Sequence, residues 1–138
     1  MVVVSPQGRW LWPNHFFIEG KLMSQSQLYH EKLDVYQCSI QFLALTEQVV
    51  SNCPKGNSSL LDQLKRASLS IVLNIAEACG KVTPKDNARF FAIARGSAME
   101  CGAVLDACKI LGISKKSYIE DGKSLLVRIV PMLSKMSR

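Results

Sequence analysis

Residues 59–86 read SLLDQLKRASLSIVLNIAEACGKVTPKD, and the fold follows from this stretch. Leu60, Leu64, Ala67, Ile71, Ile75 and Ala78 recur at steps of three and four, which gathers them on one face of an α-helix. Ser59, with Asp62 three residues on, has the form of a capping box at the start of that helix. Gly80 is placed to end it in a left-handed conformation. Thr83-Pro84-Lys85-Asp86 then opens another helix. Thr83 suits the cap, Pro84 the first helical position, and Asp86 the positive end of the helix dipole. One helix stops and the next starts within a few residues, which is the pattern of a helical hairpin.

The same period extends in both directions. Upstream, Leu33, Tyr36, Ile40, Leu43 and Val50 form an apolar stripe, and Asn52-Cys-Pro-Lys-Gly56 supplies turn chemistry at its end. Downstream, the third helix is expected to run to about Leu111 and to stop at Gly112. A fourth begins at Ser114 or Ser117 and carries Tyr118, Leu125, Leu126, Ile129, Met132 and Leu133. Pro131 is expected to kink it or to end its regular part near Val130, because proline removes a donor and crowds the preceding turn. No alternating run of strand length occurs. The expected fold is all-α, an up-down-up-down four-helix bundle over residues 27–138.

Residues 1–26 differ in character. They hold four of the ten aromatics (Trp10, Trp12, Phe16, Phe17), two prolines and no helical period. Two expectations fit this irregular arm: a natural start at Met23, with residues 1–22 upstream of it, or a segment that docks its aromatics on a partner. It has neither the basic start nor the small-residue cleavage site of a secretory signal.

The composition is that of a globular protein, with 48% hydrophobic and 20% charged residues. Formal net charge is +6, and residues 23–138 alone hold 15 basic and 10 acidic residues. The positive balance therefore belongs to the bundle, and such a surface attracts phosphate backbones or acidic proteins. No apolar run approaches the ~20 residues needed to cross a bilayer. Five cysteines without a Cys-x-x-Cys pair read as reduced thiols serving as small core residues in a cytoplasmic protein.

Two short stretches stand out. Ser70, Asn74 and Glu77 share one face of the second helix, and Ser97 and Glu100 share one face of the third. They read as an interhelical polar network fixing register, with a metal or small-molecule site built on Glu77 and Glu100 as the alternative. The spacings Ala92–Gly96 and Ala98–Gly102 predict close approach of a neighbouring backbone, since an interior helical glycine costs about 0.8–1.0 kcal/mol against alanine. No Glu-x-x-His pair, phosphate loop or nucleophile elbow is present, so neither an enzyme nor a cofactor or metal site is expected. The basic residues Lys65, Arg66, Lys81, Lys85, Arg89, Arg95, Lys115 and Lys116 are the candidate nucleic-acid contacts.

The run from Gln63 to Lys81 resembles the second-helix signature of the four-helix bundle proteins encoded in intervening sequences of bacterial 23S ribosomal RNA genes. Phe90-Phe-Ala-Ile-Ala-Arg-Gly96-Ser97-Ala-Met-Glu100 resembles the third-helix motif of that family, and Leu33-Asp-Val-Tyr36-Gln37 fits its opening helix. The resemblance covers about residues 28–112 and extends more loosely to the fourth helix. The family often has glycine where Ala78 stands, and residues 1–22 match nothing in it. The resemblance implies a ring-like homopentamer with a basic surface. In one branch, the accessory variability determinant of diversity-generating retroelements, the bundle binds a reverse transcriptase and nucleic acid. The leading expectation is a non-catalytic oligomeric binding protein that contacts RNA or DNA. The alternative is a protein-interaction scaffold, such as an accessory subunit of a reverse transcriptase, without direct nucleic-acid contact.

Overall fold

The computed structural model describes residues 3–4, 10–11 and 28–138. Val3–Val4 (β1) pairs antiparallel with Trp10–Leu11 (β2), Val3 opposite Leu11. The expectations for the rest of the N-terminal arm, including a start at Met23, lie outside the described residues. Four helices make up the remainder: α1 (Asp34–Ser51), α2 (Ser58–Cys79), α3 (Pro84–Leu111) and α4 (Lys116–Met136). Residues 28–138 are all-α, with helices packed as in a bundle.

The first helix starts later than the periodicity implies. Tyr29–Lys32 forms a separate 3-10 turn, in which the Glu31 carboxylate accepts the Leu28 N–H at 2.8 Å. Leu33 is extended (φ −78°, ψ 131°) and breaks the helix before Asp34. The buried face of α1 is also displaced. Val35, Cys38, Ser39, Phe42, Thr46 and Val49 are buried, whereas the expected stripe of Leu33, Tyr36, Ile40, Leu43 and Val50 is only half-buried. The two faces lie about 100° apart, one residue step round the helix. Ser39 and Thr46 can enter the core because they bond their own helix, at Val35 O (2.6 Å) and Leu43 O (2.7 Å).

Several ends differ from expectation. Asn57, not Ser59, precedes α2, and no side chain caps that helix. Gly80 is right-handed at φ −85°, because its N–H simply continues the ladder to Ala76 O (3.2 Å) and Glu77 O (3.1 Å). At α3 the cap is as the sequence implies. Thr83 Oγ1 accepts the Asp86 N–H at 3.2 Å and donates to the Asp86 carboxylate at 2.8 Å. Gly112 takes φ 64°, and Ile113 N–H returns to Cys108 O at 3.1 Å, closing the helix in the left-handed manner. Neither Ser114 nor Ser117 caps α4, where Lys115 holds the cap position, and the Ser114 hydroxyl is buried without a hydrogen-bond partner. Pro131 does not end the helix, which continues to Met136. Its side is exposed, so the lost bond falls where water can reach the freed carbonyl.

Partners along α2 and α3 run in opposite order, Ala78 with Asn87, Ser70 with Ser97, and Gln63 with Glu100. Arg95 with Ser134 and Asp106 with Lys123 do the same for α3 and α4. Phe42, Leu64, Ile71, Ile75, Leu105, Ile129 and Leu133 are the largest side chains in the common core. Gly122 sits among them. A Cβ there would lie 2.8 Å from Leu105 Cδ1 and 3.5 Å from both Leu45 and Phe42. The close approach expected at Gly96 and Gly102 falls here instead. Gly96 faces open space, and Gly102 has only an ordinary contact at 3.8 Å.

Candidate nucleic-acid interface

The α2–α3 seam is built from short polar side chains. Asn74 Nδ2 donates to the Ser70 carbonyl at 2.8 Å and to the Ser70 hydroxyl at 3.1 Å. The Ser70 and Ser97 hydroxyls are 2.8 Å apart, and Ser97 donates to Ile93 O at 3.2 Å. Each hydroxyl has one proton, so the only consistent chain runs from Asn74 to Ser70, then to Ser97, then to the Ile93 carbonyl. Glu100 and Glu77 stand outside this chain. Glu100 accepts from Gln63, and Glu77 pairs with Lys81 at 2.5 Å with half its side chain exposed. A glutamate one or two turns along the same face is already at the rim, where a long side chain finds a surface partner. Asn87, which the periodicity did not single out, donates from α3 to Ala78 O at 2.9 Å and ties the α2–α3 turn shut.

The eight candidate basic residues do not form one patch. Lys65 and Arg66 lie in the first half of α2, and Lys115 and Lys116 open α4. Lys81, Lys85 and Arg89 gather around the α2–α3 turn, and Arg95 lies about three helical turns into α3. At 1.5 Å per residue, Lys65 lies roughly 21 Å along the α2 axis from the Cys79 end that leads to Lys81. Around the turn, Phe90 organises two of the cations. Lys81 Nζ stands 4.7 Å and the Arg89 guanidinium 5.7 Å from the ring centroid. Sequence reasoning missed Phe90 because helical period does not carry across a turn. Arg95 Nε donates to Ser134 at 2.7 Å, so part of this guanidinium holds α4 against α3. Lys115 lies 5.6 Å from the Tyr118 ring, and Lys116 pairs with Glu120 at 3.6 Å. Lys123 and Asp106 form a further ion pair at 2.8 Å.

Four of the five thiols are poorly suited to nucleophilic work. Burial, with a smaller contribution from the Glu100 carboxylate, pushes the Cys101 thiol up to about 12, and burial likewise raises Cys38, Cys79 and Cys108. His30 packs edge-on against Tyr36 at 4.7 Å. Among the described residues no group of three or more His, Cys, Asp or Glu is arranged to hold a metal ion, and no helix is long and apolar enough to cross a membrane. A surface hollow of about 430 Å³ is an apolar groove between α1 and α2, lined by Ile40, Leu43, Ala44 and Leu69 with Glu47 and Lys65 at its edge.

The class so defined is a basic four-helix protein with a polar seam and cations grouped at its helix ends. The sequence model of the 23S rRNA-intervening sequence protein family matches residues 31–135 of the 138, and the chain belongs to that family. The match reaches through α4, beyond the stretch whose motifs carry the resemblance. No curated protein matches the chain.

Proposed function

We propose that this chain is a non-catalytic, cytoplasmic binding protein whose basic faces contact the phosphate backbone of RNA or DNA. The observation that carries this reading is the charge of the bundle itself, 15 basic against 10 acidic residues over 28–138. The reading takes the bundle as up-down-up-down, in keeping with the opposed order of its partner residues. It also takes the working form as a homo-oligomer, the pentamer implied by the family resemblance. The displaced apolar stripe of α1 and the exposed Leu69 and Leu73 support assembly, because they leave apolar surface that the protomer's own core does not use.

Fluorescence anisotropy with a short structured RNA and with duplex DNA tests the contact. A protein neutralising about six phosphates loses on the order of 10³ in affinity between about 50 and 200 mM salt. Binding that steepens in this way as salt is lowered supports the reading, and no binding at low salt refutes it. Native mass spectrometry tests assembly against the 15.3 kDa protomer. The same exposed leucines favour a second reading, a scaffold for a protein partner such as a reverse transcriptase. A partner that co-purifies after nuclease treatment separates it from the first.

A further inference from the structure

We propose that nucleic acid docks its phosphate backbone on one end of the bundle, the end formed by the α2–α3 turn, the start of α1 and the finish of α4. The proposal rests on the nucleic-acid reading above and locates it. When each helix is divided at its midpoint, the charge separates. The half bearing the α2–α3 turn carries eight basic residues against four acidic, and the opposite half carries seven against six. One end thus holds +4 of the +5 on residues 28–138.

The placement of the acids sharpens the difference. At the basic end, Glu31 is turned onto the Leu28 N–H and Asp86 onto the Thr83 cap, while Glu77 pairs with Lys81. At the opposite end, Lys123 and Lys116 are drawn to Asp106 and Glu120. Two cations of the basic end are also partly ordered in advance by a ring, as Lys115 is by Tyr118 at the other end. Lys81 and Arg89 share the Phe90 ring, and Lys85 stands exposed in the first turn of α3. Ordering before binding reduces the entropy lost on contact. The first turn of α3 is occupied by its own Thr83–Asp86 cap, so side-chain cations rather than helix N–H groups form the surface. Lysine and arginine contacts to phosphate position a duplex without reading base or sugar, so RNA and DNA duplexes of one sequence should bind alike.

The test uses the full chain and two variants that change net charge equally, Lys85→Glu/Arg89→Glu at the basic end and Lys115→Glu/Lys116→Glu at the other. All four positions are exposed, and circular dichroism with thermal melts checks that both variants fold. Should Lys85→Glu/Arg89→Glu fail to fold, Lys85→Ala/Arg89→Ala replaces it, with Lys115→Ala/Lys116→Ala as its matched control. Affinities for an RNA duplex and a DNA duplex of the same sequence are measured across a salt series. The expected result is a loss of tenfold or more, with a salt slope shallower by about two, for the basic-end variant. The other variant should stay within a few-fold of wild type, and the two duplexes within a few-fold of each other. Equal losses from both variants, or a larger loss from Lys115→Glu/Lys116→Glu, would overturn the location while leaving nucleic-acid binding intact. A marked preference for one sugar would overturn contact through phosphate alone. A wild-type protein that binds neither duplex refutes the functional reading itself.

Discussion

The seam between α2 and α3 and the contact of α4 with its neighbours both fix how helices sit, and they do so by opposite means. The first uses atoms that are present, a directed chain through Asn74, Ser70 and Ser97 to a backbone carbonyl. The second uses an atom that is absent, the Cβ of Gly122, whose space is taken by Leu105, Leu45 and Phe42. A hydroxyl chain constrains sliding, because one turn of displacement leaves each donor without its acceptor. A missing side chain constrains distance, because it sets how near two helices can lie. The chain needs partners of matching polarity, whereas the glycine contact needs only shape.

The largest effect expected from breaking either device is at Gly122. Gly122→Val adds three carbons against Leu105 and Phe42, which are 1% and 0% exposed, so more than one buried side chain must shift to admit it. Overpacking of this kind costs about 1–3 kcal/mol, and the upper part of that range is expected in urea unfolding. Gly122→Ala separates the causes. Its single methyl meets Leu105 Cδ1, the movable tip of a side chain, and alanine gains about 0.8–1.0 kcal/mol of helix propensity. Near-neutral alanine with costly valine confirms a steric device, whereas tolerance of valine would dissolve the contrast between the two contacts.

The seam should give a smaller effect of a different form. Ser97→Ala or Ser70→Ala removes one member of a part-buried chain and costs about 1 kcal/mol. The double variant leaves neither hydroxyl without the other, so it should cost less than the sum of the singles by more than about 0.5 kcal/mol in a double-mutant cycle. Additive costs would mean that the two hydroxyls merely lie near each other.

The same contrast explains what the amino-acid sequence makes legible. Four helices and the Thr83 and Gly112 ends follow from local chemistry, because a cap or a left-handed turn is completed by residues within one turn of chain. The facing of Ser70 and Ser97 follows from helical spacing plus the short α2–α3 connection. The buried face of α1 does not follow from hydrophobicity alone. Ser39 and Thr46 bond their own helix and so bury without penalty, leaving Ile40 and Leu43 on the groove. Gly122 is still less legible, since Asp121-Gly122 has the local form of a turn and its role depends on residues from two other helices. The basic residues were legible one by one, but their separation into two ends needed the order in which helices meet.

The smallest effect, at Gly96, has the opposite sign and completes the contrast among glycines. It sits in the middle of α3 with nothing within 4 Å of the position a Cβ would take. With no neighbour to offend, Gly96→Ala should stabilise the protomer by just under about 1 kcal/mol, the helix-propensity difference alone, read as a higher urea midpoint with unchanged slope. The measurement is best made at several protein concentrations, because a second copy on this face would make the gain shrink or reverse as assembly proceeds. A gain independent of concentration marks Gly96 as a glycine that no packing requires. A loss that grows with concentration would set it beside Gly122 as a place where a missing side chain admits a neighbour, that neighbour being another protomer.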